Sequence, residues 1–317
     1  MKYWEEILQS PQVQRAVAAA KSGTFSHAYA VVAEDEYTTG VVALQLVAAI
    51  GKLSLKRAEE GGYADVHVLP PARDKVLSAD IEFITSTAYI TPTELDNKFY
   101  IVKKASTMNE SGQNKLLKTL EEAPPSVVIV LEVQSLAAML PTVMSRCSRI
   151  DVPPMPLEVL TAALQRNYSS RDVYSAAALS GGYVGKAEKI LSDEKFTGDF
   201  SMALDTLLNM RTAKDILTFS RRWTDRKETL PDVLDCLSVI LSDCLSASEG
   251  AVARIRLKDN IKDIKTLANS FGSVAAVKIM PFIAAAKRDL SQNCNAQAVV
   301  DGLLFKILEV KTKCLKS

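Results

Sequence analysis

The chain has 317 residues, 48% of them hydrophobic and 24% charged, which is ordinary globular material, long enough for two or three packed domains, and excludes disorder as its main character. A formal net charge of +1 excludes the large positive surplus that neutralises many phosphates unaided, so any contact with nucleic acid is local or shared. Five cysteines, Cys147, Cys236, Cys244, Cys294 and Cys314, form no C-x-x-C pair and in odd number fit poorly with a disulfide framework, so a reducing cytoplasm is expected.

Met1 to Pro11 carries Glu5 and Glu6 where a signal peptide needs an apolar run, and no charge-free apolar stretch reaches membrane-spanning length. The expectation is a soluble protein with no membrane association. Pro11 to Lys21 reads as helix, Ala28 to Val32 as a compact strand, Thr39 to Ile50 as helix and Asp65 to Leu69 as strand. Ser78 to Tyr89 is helical, Lys98 to Val102 a strand, Ser111 to Glu122 a helix and Ser126 to Leu131 a strand. This alternation predicts a mostly parallel sheet covered by helices. Ile150 to Pro156, with three prolines, reads as a linker. Beyond it the β signals stop: Leu157 to Leu191 predicts short helices broken at Gly181, Gly182 and Gly185, and the chain from Phe200 onwards is helical with breaks near Pro231 and Gly250.

The most specific segment runs Ser111-Gly112-Gln113-Asn114-Lys115-Leu116-Leu117-Lys118-Thr119-Leu120-Glu121-Glu122-Ala123-Pro124-Pro125, then an apolar strand, then Leu140-Pro141-Thr142-Val143-Met144-Ser145-Arg146-Cys147. It resembles the clamp-loader subunits of the AAA+ superfamily, and within them the delta-prime type of the bacterial DNA polymerase III holoenzyme. The likeness holds in order and spacing from Ser26-His27-Ala28-Tyr29 to Cys147; the helical tail, including Asn293-Cys294-Asn295, is compatible but less diagnostic. The resemblance implies an α/β AAA+-like domain over residues 1–155, a small helical lid over 156–203 and an all-α collar over 204–317.

In the motor members of that family a P-loop, G-x-x-x-x-G-K-[ST], cradles phosphates with backbone amides, a lysine and a magnesium-binding hydroxyl. The matching stretch here is Val32-Ala33-Glu34-Asp35-Glu36-Tyr37-Thr38-Thr39-Gly40. Thr39 stands where the lysine belongs, before Gly40, and three acids occupy the cradle. The two Gly-Lys pairs, Gly51-Lys52 and Gly185-Lys186, lack the rest of the motif. Where the motors place an acidic pair after a strand to hold magnesium, this chain has Lys103-Lys104, which can neither coordinate a metal nor serve as a carboxylate base at neutral pH. The small polar residue that orients water falls somewhere in Glu132-Val133-Gln134, a further departure. No bound nucleotide, cofactor or ATP turnover is expected.

The resemblance maps onto Arg146 an arginine finger, which reaches the terminal phosphate of ATP held by a neighbouring subunit. On residue type alone, Arg146 reads first as a structural arginine paired with a nearby carboxylate; the full context of the motif reverses that preference. Lys186, in Gly181-Gly182-Tyr183-Val184-Gly185-Lys186-Ala187, matches a nucleotide-sensing position but reads here as a helix-start lysine on a solvated or interdomain surface. Many relatives insert a four-cysteine zinc module; Gly51 to Tyr63 has no cysteine, and His27 and His67 read as a strand-entry and a strand-face residue, so no metal is expected.

The expected role is a non-hydrolysing subunit of a hetero-oligomer. Its implied partners are tau/gamma-like motor subunits and a delta-like subunit, with the sliding clamp and primed DNA met through the complex. Two rivals stand beside it. One is an active ATPase with an atypical loop, which needs a carboxylate in place of Lys103-Lys104; the other is a delta-like clamp-opening subunit, against which Ser145-Arg146-Cys147 and the Gln113 to Pro125 helix argue.

Overall fold

A computed structural model describes residues 3–71, 73–168, 173–192, 194–292 and 294–314, so Asn293 lies outside the described residues. The chain divides into two compact units, Met1–Ala163 with Tyr183–Lys186, and Leu164–Gly182 with Ala187–Ser317.

The first unit is built from α1 (Trp4–Ile7), α2 (Pro11–Lys21), β1 (Ala28–Val32), α3 (Glu36–Gly51), α4 (Leu55–Glu59), β2 (Val66–Leu69), α5 (Ser78–Thr87), β3 (Lys98–Val102), α6 (Glu110–Glu122), β4 (Val127–Val133), α7 (Pro141–Met144) and β5 (Ser148–Asp151). The strands form one parallel sheet in the order β2-β3-β4-β1-β5. Strands β3 and β4 are buried along their whole length, as short β-branched runs covered on both faces must be. One core under the sheet joins Tyr100, Ile129 and Leu131 to Ile81, Ile84, Leu116 and Leu120 of α5 and α6.

The segment read as a linker begins as a strand. Ile150 pairs with Val31 in β5 against β1, and the prolines at 153, 154 and 156 follow only after the last paired residue, Asp151. Proline cannot donate to a ladder, so the run ends the strand instead of abolishing it. His27, just ahead of β1, has its Nε2 2.7 Å from the Leu120 carbonyl oxygen, and His67 on β2 stacks on Tyr100 with ring centroids 5.2 Å apart.

Asp65 sets the approach to β3. It is 1% exposed, and its carboxylate accepts from the amides of Thr93, Glu94 and Leu95 and from the Thr93 hydroxyl, at 2.6–3.1 Å. Burial alone would raise its pKa, but these donors outweigh burial and hold it below the usual carboxylate range.

The chain continues through α8 (Leu157–Gln165), α9 (Val173–Leu179), α10 (Val184–Ser192), α11 (Glu194–Asn209), α12 (Ala213–Thr224), α13 (Leu230–Ser248), α14 (Ile261–Ser291) and α15 (Ala296–Cys314), with no strand among the described residues. A parallel α/β unit followed by helices is the fold the sequence predicts. Gly181 and Gly182 break the chain at φ +65° and +92°, values that favour glycine, whereas Gly185 sits inside α10 and is no break. Pro231 opens α13, where its missing N–H costs nothing, and Gly250 follows the helix at φ +72°. In the helical unit Trp223 is fully buried and donates from Nε1 to Thr206 Oγ1 at 3.0 Å. Leu204, Leu207 and Met210 join Leu234, Leu237 and Leu241 in its core. By length and composition alone α14 could cross a membrane, but it carries a kink at Gly272 (φ +65°) and lays Ile264, Leu267, Phe271, Ile279 and Ile283 into that core.

Replacing Asp65 by Ala leaves the amides of Thr93, Glu94 and Leu95 without their acceptor. The expected loss is about 3 kcal/mol of stability at pH 7, measured by urea denaturation. Because the native carboxylate has a lowered pKa, its contribution is present above the unfolded value and disappears as pH falls through the native one, so wild type and variant converge in acid.

Candidate functional site

In an open parallel sheet, ligands bind outside the carboxyl ends of the strands where the strand order reverses. Here that place is where β1, β4 and β3 end, at Val32-Ala33, Glu132-Val133-Gln134 and Lys103-Lys104, beneath the first turn of α3. The first amides of a helix lack intrahelical partners and carry a partial positive charge, so this crevice invites an anion.

The chain supplies that anion itself. Asp35 is the N-cap of α3: its Oδ1 accepts from Thr38 N at 2.5 Å and its Oδ2 from Gly185 N, at the start of α10, at 2.9 Å. The fit at Gly185 is close, since a Cβ there would lie 2.7 Å from Tyr37 Cβ and 3.0 Å from the Asp35 carboxyl carbon. On either side of Asp35 the other two acids have taken cations. Glu34 pairs with Lys186 at 2.8 Å, and Glu36 with Lys104 at 3.1 Å. Lys104, at φ +51°, also pairs with Asp74 at 2.6 Å, and these bonds together outweigh burial and raise its pKa. Every acid of the expected phosphate cradle thus meets a donor of the same chain, and Lys186 is spent on one of them.

Thr39 is fully buried. Its hydroxyl lies 3.2 Å from Glu132 Oε2 and from the carbonyls of Asp35 and Glu36, and it accepts from Gln134 Nε2 at 3.0 Å. A lysine at this position would project an ammonium; threonine instead closes a short polar network between α3 and the end of β4. Glu132 is the member that sequence reasoning only bracketed. It is 1% exposed, and its carboxyl rests against Gly40, where a Cβ would stand 3.7 Å from Oε1. Its Oε1 finds no hydrogen-bond partner. Burial pushes its pKa up to about 7, against the opposing pull of Lys103 and the Thr39 hydroxyl. The signal for it was a lone carboxylate inside the apolar run Val127-Val128-Ile129-Val130-Leu131-Glu132-Val133. Two cavities remain beside this network. One of 610 Å³ is lined by Gln12, Ala33, Glu34, Gln134, Asp151 and Lys186, and one of 440 Å³ by Glu36, Gly40, Leu44, Ile101, Lys103 and Glu132.

Arg146 belongs to a different cluster of the same unit. Gln113 of α6 is 2% exposed; its Nε2 donates to the carbonyls of Met108 and Ala138, and its Oε1 accepts from Leu140 N at 2.7 Å. This pins the chain just before Pro141 opens α7, whose end presents Ser145-Arg146-Cys147. The Arg146 guanidinium is on the surface, donating from Nη1 to the Thr142 carbonyl at 2.8 Å and from Nε to Glu121 Oε1 at 2.5 Å. Burial raises the Cys147 thiol to about 12, so it packs as a neutral side chain.

Because the native Glu132 carboxyl has a raised pKa, the folded state holds a proton the unfolded state has lost between about pH 4.5 and 7. Its contribution is therefore complete in acid and is lost as pH rises through about 7. Glu132→Gln, which keeps the shape without the charge, is expected to stabilise the protein by roughly 2 kcal/mol at pH 8 and by little at pH 5. Paired urea titrations at the two pH values measure the difference.

Residues 8–156 match the family model described as "DNA polymerase III, delta subunit". DNA polymerase III subunit delta' of Bacillus subtilis is 24% identical over 259 residues, 80% of this chain and 79% of that protein. The delta' subunit of Haemophilus influenzae is 23% identical over 78% of this chain and 77% of its own length. Subunit tau of Bacillus subtilis is 22% identical over 81% of this chain and 46% of its own length. Over residues 8–156 the chain is similar to that family, and the likeness to the delta' subunits extends to about four-fifths of the sequence.

Proposed function

We propose that this subunit binds and hydrolyses no ATP of its own and acts on its neighbour's. The observation that carries the reading is the internal neutralisation of the crevice: Asp35 on the α3 amides, Glu34 on Lys186 and Lys104 on Glu36. A triphosphate there meets carboxylates where it needs donors, and the ammonium of Lys104 stands beside Glu36 where magnesium would be held. Against an active but atypical site, burial pushes the pKa of Glu132, the buried carboxyl at the end of β4, up to about 7, which makes it a poor metal ligand.

Arg146 is the group offered outward. In this reading its guanidinium enters the ATP site of an adjacent tau/gamma-like motor subunit and stabilises charge on the transferred phosphoryl group. The helical region from residue 204 onward serves as the collar that joins the subunits, residues 156–203 form the lid, and the sliding clamp and primed DNA are met through the hetero-oligomer in the cytoplasm. The delta-like, clamp-opening alternative is disfavoured by the supported Ser145-Arg146-Cys147 segment.

Three measurements test this. ATP titrated into the isolated chain with magnesium is expected to give neither tight binding nor turnover; hydrolysis would sink the silent-site reading. In a reconstituted complex, Arg146→Ala is expected to leave assembly intact and to slow DNA-stimulated hydrolysis at the adjacent site by at least about tenfold. Unchanged turnover in a fully assembled variant would remove the finger. Tight capture of the sliding clamp by this chain alone would favour the delta-like role.

A further inference from the structure

Arg146 is held by a particular partner, and the manner of holding is informative. Its Nε and Nη2 both converge on one oxygen, Oε1 of Glu121, instead of forming two parallel bonds to two oxygens. A guanidinium pairs best when its planar fork meets two acceptor oxygens side by side, which a phosphoryl group provides and this contact does not. The pair is also half in solvent, with the side chains 34% and 45% exposed, and such ion pairs shift an equilibrium by a factor of about five at most. It is too weak to be a structural requirement.

The position of Glu121 shows where the pairing comes from. It lies in the last turn of α6, which ends at Glu122 and carries no basic residue there. A carboxylate at a helix C-terminus opposes the helix dipole, so Glu121 is itself poorly placed unless a cation comes to it from elsewhere. Arg146 is that cation. Meanwhile Nη1 keeps a separate bond to the Thr142 carbonyl, one turn back on its own segment, and this bond needs nothing from α6. The guanidinium can therefore exchange Glu121 for another anion while remaining aimed by Thr142.

We propose that Glu121 is a parking residue for Arg146: it holds the guanidinium in the free subunit and is displaced when a phosphoryl group of the neighbour's bound nucleotide takes its place. This rests on the finger role proposed for Arg146. Glu121 acts through Arg146 and touches no substrate, so it sets how readily the finger engages, not the rate once it is engaged.

The test is a cycle of Glu121→Gln, Arg146→Ala and the double variant in the reconstituted complex, titrating this chain against motor subunit and reading DNA-stimulated ATP hydrolysis. Expected for Glu121→Gln is a two- to fivefold fall in the concentration giving half-maximal stimulation, with the plateau unchanged, and no such gain when Arg146 is already Ala. A plateau lowered by Glu121→Gln, or no change at all while Arg146→Ala still abolishes stimulation, overturns the parking role and leaves the finger standing. An Arg146→Ala variant without effect removes the finger, and the parking role with it. A readout independent of activity is the Arg146 Nε–H signal in the side-chain nitrogen–proton spectrum of the isolated chain. It is expected to be protected in wild type and to broaden in Glu121→Gln; identical signals in the two would overturn the pairing on which the proposal stands.

Discussion

The first turn of α3 needs a negative charge, and much of the α/β unit is arranged around which group supplies it. A helix N-terminus packed against the carboxyl ends of parallel strands leaves several amides facing a half-closed crevice. Here the Asp35 side chain fills that need from within the same loop, and it reaches the amide of Gly185 as well. With Thr38 N and Gly185 N both held by Asp35, part of the negative charge this end of the sheet favours comes from the chain itself. The flanking acids are left to settle with Lys186 and Lys104, so charge balance is reached without any ligand.

The polar network below that cap shows how a buried acid is accommodated. Glu132 pairs in register with Val31 in the middle of the sheet, a place with almost no water. Its charge is disfavoured there, and the proton it retains near neutrality is the response to that cost. The Thr39 hydroxyl ties its carboxyl to the helix above and itself accepts from the Gln134 amide. Threonine at position 39 is therefore more than a missing lysine: it is the bridge between α3 and β4.

Much of this was legible in the sequence, for definable reasons. Ala28–Val32 and Lys98–Val102 are compact apolar runs bounded by polar residues, and Pro11–Lys21 begins with the proline that helix starts favour, so local pattern alone sets their limits. Helix α3 begins at Glu36, ahead of the apolar stretch at Thr39 that marks it in the sequence, because the capping carboxylate of Asp35 starts it. Strand β5 was hidden for the opposite reason: its pairing with β1 is a tertiary fact, and the neighbouring prolines speak louder than four residues of strand. The acidic stretch Glu34 to Glu36 and the pair Lys103-Lys104 could be seen to spoil a phosphate site, but not to neutralise one another, since Lys104 meets Glu36 only once the sheet is assembled. The Glu121 to Arg146 contact is likewise invisible in one dimension; it depends on Gln113 stitching the two segments together.

The network around Thr39 also limits what position 39 can hold. A lysine there would bring an ammonium into a fully buried space already filled by the Glu132 and Gln134 side chains, break the bridge to β4, and leave Asp35 on the Thr38 amide. The hydroxyl of Thr39 is thus part of the core itself, and position 39 cannot change without the side chains that meet it changing too.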